Sequence, residues 1–211
     1  MTERDHGLVF VISGPSGSGK GTVIEELGKI YDRTGVAVSA TSRKPREGEK
    51  EGVNYFYKTR KQFEKMVRDG EILEHTEYNG NYYGTLKSET RRITEEGRDV
   101  ILEIEVDGCG QVKRLLGDGC VTIMLTAPDR EELERRLRGR GTETEEEIQR
   151  RLERALFEVS QTPKYEYLLI NETNRADKCA RDLLSVIRAE HLRTCRSGEV
   201  FEEGYGKTEN K

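Results

Sequence analysis

The stretch from Leu8 to Thr22, with the sequence LVFVISGPSGSGKGT, constrains the fold of this chain more than any other segment. It begins with an apolar run from Leu8 to Ile12, which has the length and composition of a strand buried on both faces. A glycine-rich loop follows, and after Lys20 apolar residues recur at helical spacing. The segment therefore predicts a strand, a loop and a helix in that order.

The loop carries the pattern GxxxxGK at Gly14, Gly19 and Lys20, which is typical of a P-loop. Glycines let the backbone curl so that several N–H groups face one anion, and the start of the helix adds partial positive charge. Lys20 would bring an ammonium group to the β and γ phosphates of a nucleotide. A glycine-rich turn that merely links strand to helix is the alternative, which the flanking pattern disfavours. The predicted ATP-binding residues are Gly14, Pro15, Ser16, Gly17, Ser18, Gly19, Lys20, Gly21 and Thr22.

The position after the lysine departs from the usual pattern. A serine or threonine normally stands there, whereas this chain has Gly21 and the hydroxyl comes one residue later, at Thr22. Thr22 is therefore assigned to the metal of bound ATP, either directly or through a water molecule.

Composition limits the possible classes of function. The chain has 211 residues, of which 33% are hydrophobic and 36% are charged, enough for one substantial core with an inserted subdomain. The net charge of −4 and a pI near 5.7 argue against a general nucleic-acid-binding protein.

The cysteines and the apolar runs bear on the cellular compartment. No CxxC pair is present, so metal-ligand spacing is absent and free thiols in a reducing cytosol are favoured. The sequence shows no cleavable leader and no apolar run of transmembrane length, so we expect a cytoplasmic protein without a membrane partner. The cysteines are Cys109, Cys120, Cys179 and Cys195.

The order of apolar runs along the chain predicts its domains. Apolar strands alternate with helices in residues 1–40 and 87–192, which predicts a parallel core with right-handed crossovers. Residues 41–86 have a different pattern, with short tyrosine-rich runs and the hairpin signal Asn79-Gly80. They predict a small mixed β insertion in the core.

Two segments of the second half are predicted to be mobile. The sequence GRGTETEEE contains no apolar residue and predicts a small lid within residues 137–150. Thr144 and Glu147 predict a capping box at the start of the following helix. Residues 193–211 lack periodicity, so we expect a disordered tail.

Apolar runs also predict strands at residues 36–40 and 100–106, and a brief helix at 111–116. In the second of these strands, Glu103 and Glu105 would share one face because side chains alternate with period two.

Five motifs, GPSGSGKGT, SATSRKPREGE, GNYYGT, ILEIEVDG and RLRGRGTETEEEI, occur in this order along the chain. Together they resemble the guanylate kinase family, P-loop enzymes that transfer the γ phosphate of ATP to GMP, and the resemblance extends from about Leu8 to Leu192. It implies an α/β fold with a P-loop NTPase-type parallel sheet flanked by helices, an inserted mixed β GMP-binding domain and a small lid. It also implies ATP and GMP or dGMP as substrates, Mg²⁺ with ATP as cofactor, and a role in guanine nucleotide recycling.

The guanine pocket implied by the resemblance can be argued chemically. Guanine presents two adjacent donors, N1–H and the exocyclic amine, and a carboxylate is an acceptor that can take both. Glu74 stands at the family position for this role, and adenine, which lacks the N1–H donor, would be rejected. Taken alone, Glu74 reads as a solvated carboxylate on a strand. Ser39 and Thr85 match hydroxyl positions that face O6 and N7 of the base.

The resemblance also implies residues for the phosphates. Two arginines and two tyrosines match positions that contact the GMP phosphate, since guanidinium groups offer bidentate donors to it; surface solubility is the alternative for the arginines. Further arginines match positions that hold the donor phosphates and the transferred group. Two acidic residues match positions that the resemblance assigns to GMP binding, and the second matches a position that orients Mg²⁺ or an arginine. These residues are Arg43, Arg46, Tyr55 and Tyr83, then Arg136, Arg140 and Arg151, then Glu103 and Glu105, with Asn171 near the adenine of ATP.

The predicted mechanism needs no general base, because an oxygen of the GMP phosphate is already anionic near neutral pH. Lys20, Arg43, Arg136, Arg140 and Arg151 are the predicted catalytic residues. Two alternatives stay open: a catalytically inactive, guanylate-kinase-like interaction module, and a monophosphate kinase with another acceptor. The sequence does not indicate the oligomeric state.

Overall fold

The computed structural model describes residues 6–78, 80–139 and 144–196, and within these ranges the chain forms two sheets with flanking helices. Short 3₁₀ helices occur in this described part at Gly117–Gly119, Thr162–Lys164 and Thr194–Arg196, together with seven α-helices and nine strands. In chain order they are β1 (Val9–Ser13), α1 (Lys20–Ile30), β2 (Thr34–Val36), β3 (Ala40–Thr41), β4 (Phe56–Tyr57), α2 (Arg60–Arg68), β5 (Ile72–Tyr78), β6 (Asn81–Leu86), α3 (Lys87–Glu95), β7 (Asp99–Glu103), α4 (Val106–Leu116), β8 (Cys120–Thr126), α5 (Arg130–Arg138), α6 (Glu145–Ser160), β9 (Tyr167–Ile170) and α7 (Ala176–His191).

The larger sheet is parallel throughout and has the strand order β2-β7-β1-β8-β9. β1 lies at its centre and all of its residues are buried. Phe10 and Ile12 pack on the side of α1 and α7, whereas Val9 and Val11 pack on the opposite side with residues of α3 and α4. The strand buried on both faces, predicted from the apolar run, is confirmed, and with it the α/β fold class.

The smaller sheet is mixed and has the order β4-β3-β6-β5. β5 and β6 form the antiparallel hairpin that Asn79-Gly80 predicts, although Asn79 itself lies outside the described residues. Phe63 of α2 is fully buried against this sheet together with Ala40 of β3. The predicted strand at residues 36–40 is wrong, because the segment divides between β2 of the large sheet and β3 of the small one.

The end of β7 also differs from the prediction. The strand stops at Glu103, and Glu105 is the N-cap residue of α4, with φ −73° and ψ 165°. Cys109 and Val112 are buried at helical spacing, so packing against the core favours a helix over a continued strand. The expectation that Glu103 and Glu105 share one face of a strand is therefore wrong, and the helix predicted at 111–116 begins earlier, at Val106.

The segment predicted to be a lid, residues 137–150, begins in α5 and ends in α6. α5 ends at Arg138 with Gly139 as its C-cap, and residues 140–143, including Arg140, lie outside the described residues. The predicted capping box at Thr144 is confirmed, since Thr144 N donates to Glu147 Oε2 at 2.8 Å and Thr144 Oγ1 accepts from Glu147 N at 3.3 Å. Residues 197–211 of the predicted tail also lie outside the described residues.

All four cysteines are free thiols, and Cys109, Cys120 and Cys179 are buried. Within the described ranges, no helix is long and apolar enough to cross a membrane.

Candidate active site

The loop between β1 and α1 requires glycine at two positions for both conformational and steric reasons. Gly14 has φ 154°, and a Cβ there would lie 1.9 Å from the carbonyl oxygen of Leu125. Gly19 has φ 86°, and a Cβ there would lie 2.4 Å from Asn171 Nδ2. The main chain therefore approaches its neighbours more closely than any L side chain would permit.

The start of α1 is suited to an anion. Gly19 is its N-cap residue and supplies no side-chain cap, and the first turn contains no acidic residue. The first N–H groups of the helix are thus left without the side-chain oxygen that usually accepts from them. Together with the helix dipole, they form a ready site for a phosphate group.

Lys20 lies over this loop. Its Nζ donates to the carbonyl oxygens of Gly14 at 2.6 Å and Pro15 at 3.3 Å. The ammonium group is therefore held at the loop, on the residue that opens α1.

Asn171 and Arg136 support the loop from outside. Asn171 Nδ2 donates to Ser18 O at 2.9 Å, and Arg136 donates to Ser18 O at 3.2 Å and to Asn171 O at 2.8 Å. Glu132 orients Arg136 by accepting from its Nε at 2.7 Å. Arg135 and Arg136 together hold the pKa of Glu132 well below its usual range. The sequence did not predict the contact between Asn171 and the loop. The contact of Asn171 with adenine stays a prediction.

The second part of the candidate site is built around Glu74 of β5, which is 5% exposed. Thr85 of β6 stands opposite it and donates to Glu74 Oε1 from its backbone N at 3.1 Å and from Oγ1 at 2.7 Å. Burial raises the pKa of Glu74 above its usual value, and the hydrogen bonds from Thr85 oppose part of that rise. The alternative of a solvated surface carboxylate is therefore wrong.

Arg43 lies between aromatic rings and a carboxylate. Its guanidinium donates to Glu49 through two nitrogens, at 2.9 and 3.0 Å, and its Cζ lies 5.5 Å from the centre of the Tyr55 ring. Tyr55 in turn meets Tyr83 edge to face at 5.9 Å. Three of the predicted phosphate-contacting residues are thus neighbours.

Glu49, which the sequence analysis missed, organises this group. Its Oε2 also accepts from the backbone N of Arg46 at 2.7 Å and from Tyr57 OH at 2.8 Å. These donors, and above all Arg43, lower the pKa of Glu49 to about 2. The side chain of Arg46 is exposed, and Ser39 is half-buried at the entry to β3, where its carbonyl accepts from Phe56 N at 2.9 Å.

Tyr82 faces away from this group, as the alternation along a strand predicts. Its ring stacks on Phe63 with centroids 5.3 Å apart.

Glu103 and Glu105 face different partners. Glu103 Oε2 lies 4.0 Å from the position that a Cβ on Gly21 would take, so this carboxylate faces the start of α1. Glu105 Oε2 lies 3.8 Å from Arg154 of α6. Gly21 and Thr22 are exposed and Arg151 is half-buried in α6, while Arg140 lies outside the described residues.

Comparison with known proteins agrees with this geometry. The sequence model described as guanylate kinase matches residues 7–190. The chain is 45% identical to guanylate kinase of Lactococcus lactis over 198 residues, which cover 94% of this chain and 95% of the relative. It is 47% identical to guanylate kinase of Streptococcus agalactiae over 197 residues, with 93% and 92% covered. The chain belongs to the guanylate kinase family.

A solved guanylate kinase shares the fold. The crystal structure of guanylate kinase from Anaplasma phagocytophilum is 29% identical, covers 97% of this chain and 98% of its own, and superposes with a TM-score of 0.73. By family, the chain is a nucleoside monophosphate kinase. In this chain the P-loop follows β1 of the large sheet and Glu74 lies on β5 of the small sheet, and α4 contacts both strands.

The role of Glu49 can be tested through the pH dependence of stability. Because folding lowers its pKa from 4.5 to about 2, ionised Glu49 stabilises the fold above pH 4.5, and this contribution is lost as the pH falls toward 2. We expect the difference in free energy of unfolding between wild type and Glu49→Gln to shrink as the pH is lowered through this window. Urea unfolding at a series of pH values measures it, with Glu47→Gln in the same loop as the control. A difference that does not change with pH would contradict the assignment.

Proposed function

We propose that this chain transfers the γ-phosphoryl group of ATP to GMP or dGMP, giving ADP and GDP or dGDP, in guanine nucleotide recycling. The observation that carries the proposal is the buried carboxylate of Glu74, placed opposite Thr85 in the small sheet, in a chain that also has a P-loop. Membership of the guanylate kinase family supports the same reaction.

In this proposal guanine is selected because its hydrogen-bond donors match the acceptor oxygens of Glu74. Glu74 accepts from N1–H and the exocyclic amine, and Ser39 donates to O6 or N7 of the base. Thr85 donates its hydroxyl proton to Glu74 in the structure, so its assigned contact with O6 or N7 requires that proton to turn toward the base. Adenine would leave the buried carboxylate without the N1–H donor, and a site of this kind discriminates by roughly 10⁴-fold or more. The pKa of Glu74 is raised because a buried negative charge is energetically costly unless a partner compensates it.

The GMP phosphate is held by Arg43, Arg46, Tyr55 and Tyr83. The aromatic contacts and the ion pair with Glu49 preorganise Arg43, so little side-chain entropy is lost when the phosphate binds. Residues 41–86 form the GMP-binding domain in this proposal, inserted in a core of residues 1–40 and 87–192.

The donor phosphates occupy the P-loop, residues 14–22, with Lys20 at the β and γ phosphates. Arg136, Arg140 and Arg151 neutralise charge on the transferred group, and residues 137–150 act as a lid that excludes water. Asn171 lies beside the loop on the side assigned to adenine.

Catalysis in this proposal is alignment and charge neutralisation. The attacking oxygen of GMP is anionic near neutral pH, so no side chain has to remove a proton. The protein's contribution is to hold two mutually repelling phosphates in line and to keep water from accepting the phosphoryl group. Glu103 and Glu105, at the end of β7 and the start of α4, are assigned to GMP binding in this proposal.

A divalent metal is expected with ATP, and we assign it as Mg²⁺. Within the described ranges, no cluster of three or more His, Cys, Asp or Glu side chains could hold a metal ion. The magnesium ion would be bound largely by the nucleotide phosphates, with Thr22 contacting it directly or through water. The carboxylate of Glu103 faces the same helix start. The ion would supply positive charge to the phosphates.

The experiment that tests the function is a coupled assay of ADP formation with ATP, Mg²⁺ and one acceptor at a time. GMP and dGMP should be phosphorylated, whereas AMP and UMP should not. A preference for AMP or UMP would identify a kinase with another acceptor, and no turnover with any acceptor would identify an inactive relative.

Lys20→Ala should abolish most turnover while leaving GMP binding nearly intact. Removing one preorganised cation from the transferred phosphate costs roughly a hundredfold to a thousandfold in kcat. Steady-state kinetics measures kcat, and calorimetry measures the GMP dissociation constant. Lys29→Ala, at the exposed end of α1, is the control. Near-normal kcat in Lys20→Ala would refute the role of Lys20.

Glu74→Gln should raise KM for GMP far more than KM for ATP. The Gln carbonyl can still accept from Thr85, but its amide would present donors to the donors of guanine. Because burial disfavours the charged form of Glu74, the variant should be no less stable than wild type at neutral pH. An unchanged KM for GMP would remove Glu74 from the site.

The same carboxylate predicts a pH effect. GMP needs the ionised form, so KM for GMP in the wild type should rise as the pH falls toward the raised pKa of Glu74. Steady-state kinetics on both proteins measures this, and the rise should be absent in Glu74→Gln.

A further inference from the structure

Helix α4 of the parallel core touches the carboxylate of Glu74. A Cβ built on Gly108 would lie 2.5 Å from Glu74 Oε2 and 3.2 Å from its carboxyl carbon. Gly108 is buried in the first turn of α4, and its φ lies outside the range that favours glycine. The absence of a side chain at this position therefore reflects lack of space rather than backbone conformation.

The same helix holds the backbone of β5 at the next residue. Gln111 Nε2 donates to His75 O at 2.9 Å, and Gln111 Oε1 accepts from His75 N at 3.2 Å. β5 is an edge strand of the small sheet, so the amide of Gln111 takes the place of a peptide group on a neighbouring strand. These two hydrogen bonds, one turn from Gly108, tie the strand that carries Glu74 to α4.

A second glycine in α4, Gly110, provides a comparison for Gly108. Gly110 lies in the same helix, and a Cβ there would meet only Arg114 Nη1, at 3.6 Å, an ordinary contact. Alanine is favoured over glycine in a helix interior, so both positions carry a helix-propensity cost. Of these two glycines, Gly108 is the one at which a carboxylate occupies the space that a methyl group would fill.

We infer that α4 is the positioning element for guanine selection: bare backbone at Gly108 admits the Glu74 carboxylate, and Gln111 sets the depth of β5. This inference rests on the proposed role of Glu74. Gly108 and Gln111 act through Glu74 and are positioning residues, not catalytic ones. Since α4 follows β7, which pairs with β1 in the central sheet, the helix also sets the guanine pocket relative to the P-loop.

The test compares Gly108→Ala with Gly110→Ala, the same substitution in the same helix. In Gly108→Ala the flexible end of Glu74 must move, which disturbs its hydrogen bonds to Thr85 and its approach to the purine. We expect KM for GMP to rise roughly ten- to a hundredfold, the effect of losing a hydrogen bond to a charged group. KM for ATP should not rise by a comparable factor, and the melting temperature should stay close to that of wild type.

Gly110→Ala should leave the kinetic constants for GMP and ATP unchanged. Equal effects of the two substitutions, or an unchanged KM for GMP in Gly108→Ala, would overturn the inference. A loss of kcat at saturating GMP in Gly108→Ala, with KM unchanged, would also overturn it.

Gln111→Ala is a second variant that adds no bulk. It should raise KM for GMP several-fold and lower the preference for GMP over AMP, with kcat at saturating GMP close to wild type, since each lost hydrogen bond is partly replaced by water. A role confined to stability would lower the melting temperature without altering the ratio of GMP to AMP turnover.

The variant Glu74→Gln distinguishes a failure of the proposed function of Glu74 from a failure of the proposed role of α4. If Glu74→Gln leaves KM for GMP unchanged, the proposed function of Glu74 fails. If it raises KM for GMP while Gly108→Ala and Gln111→Ala do not, the role of α4 fails alone.

Discussion

The main-chain N–H groups at the start of α1 are the feature on which the remaining structure depends. The helix begins after Gly19 without a side-chain cap and without an acidic residue in its first turn, so its partial positive charge is open to an anion. The preceding loop keeps its shape because Asn171 and Arg136 both donate to the carbonyl of Ser18. These supports come from the ends of β9 and α5, which the parallel sheet brings to the same edge as the loop.

The small sheet presents the opposite electrostatic problem, a buried negative charge. Glu74 is costly to ionise where it stands, and the two hydrogen bonds from Thr85 compensate only in part. A ligand with two adjacent donors would compensate the rest, and this is the physical basis of the guanine selection that we propose. In the proposed function, phosphates bind at the uncapped helix start beside the large sheet, and the base binds at the buried carboxylate of the small sheet.

Local chemistry explains which predictions were confirmed. The strand, loop and helix around the P-loop, the hairpin of β5 and β6, and the cap at Thr144 depend on neighbours within a few residues. The strand predicted over 100–106 was confirmed up to Glu103, but its end was wrong because a short apolar run does not distinguish a buried strand from the buried face of a helix. The roles of the individual site residues in binding and catalysis stay predictions.

The sequence by itself determined the parts of the chain whose conformation is set by local geometry, namely the glycine loop, the hairpin and the capped helices, and through its motifs the family. Only the tertiary structure decided that Glu74 is buried, that Glu49 holds Arg43 and that Gly108 faces Glu74. The physical reason is that burial and charge pairing depend on which distant elements pack together. The spacing of residues along the chain does not predict the close approach between α4 and β5, because tertiary packing brings these separate segments together.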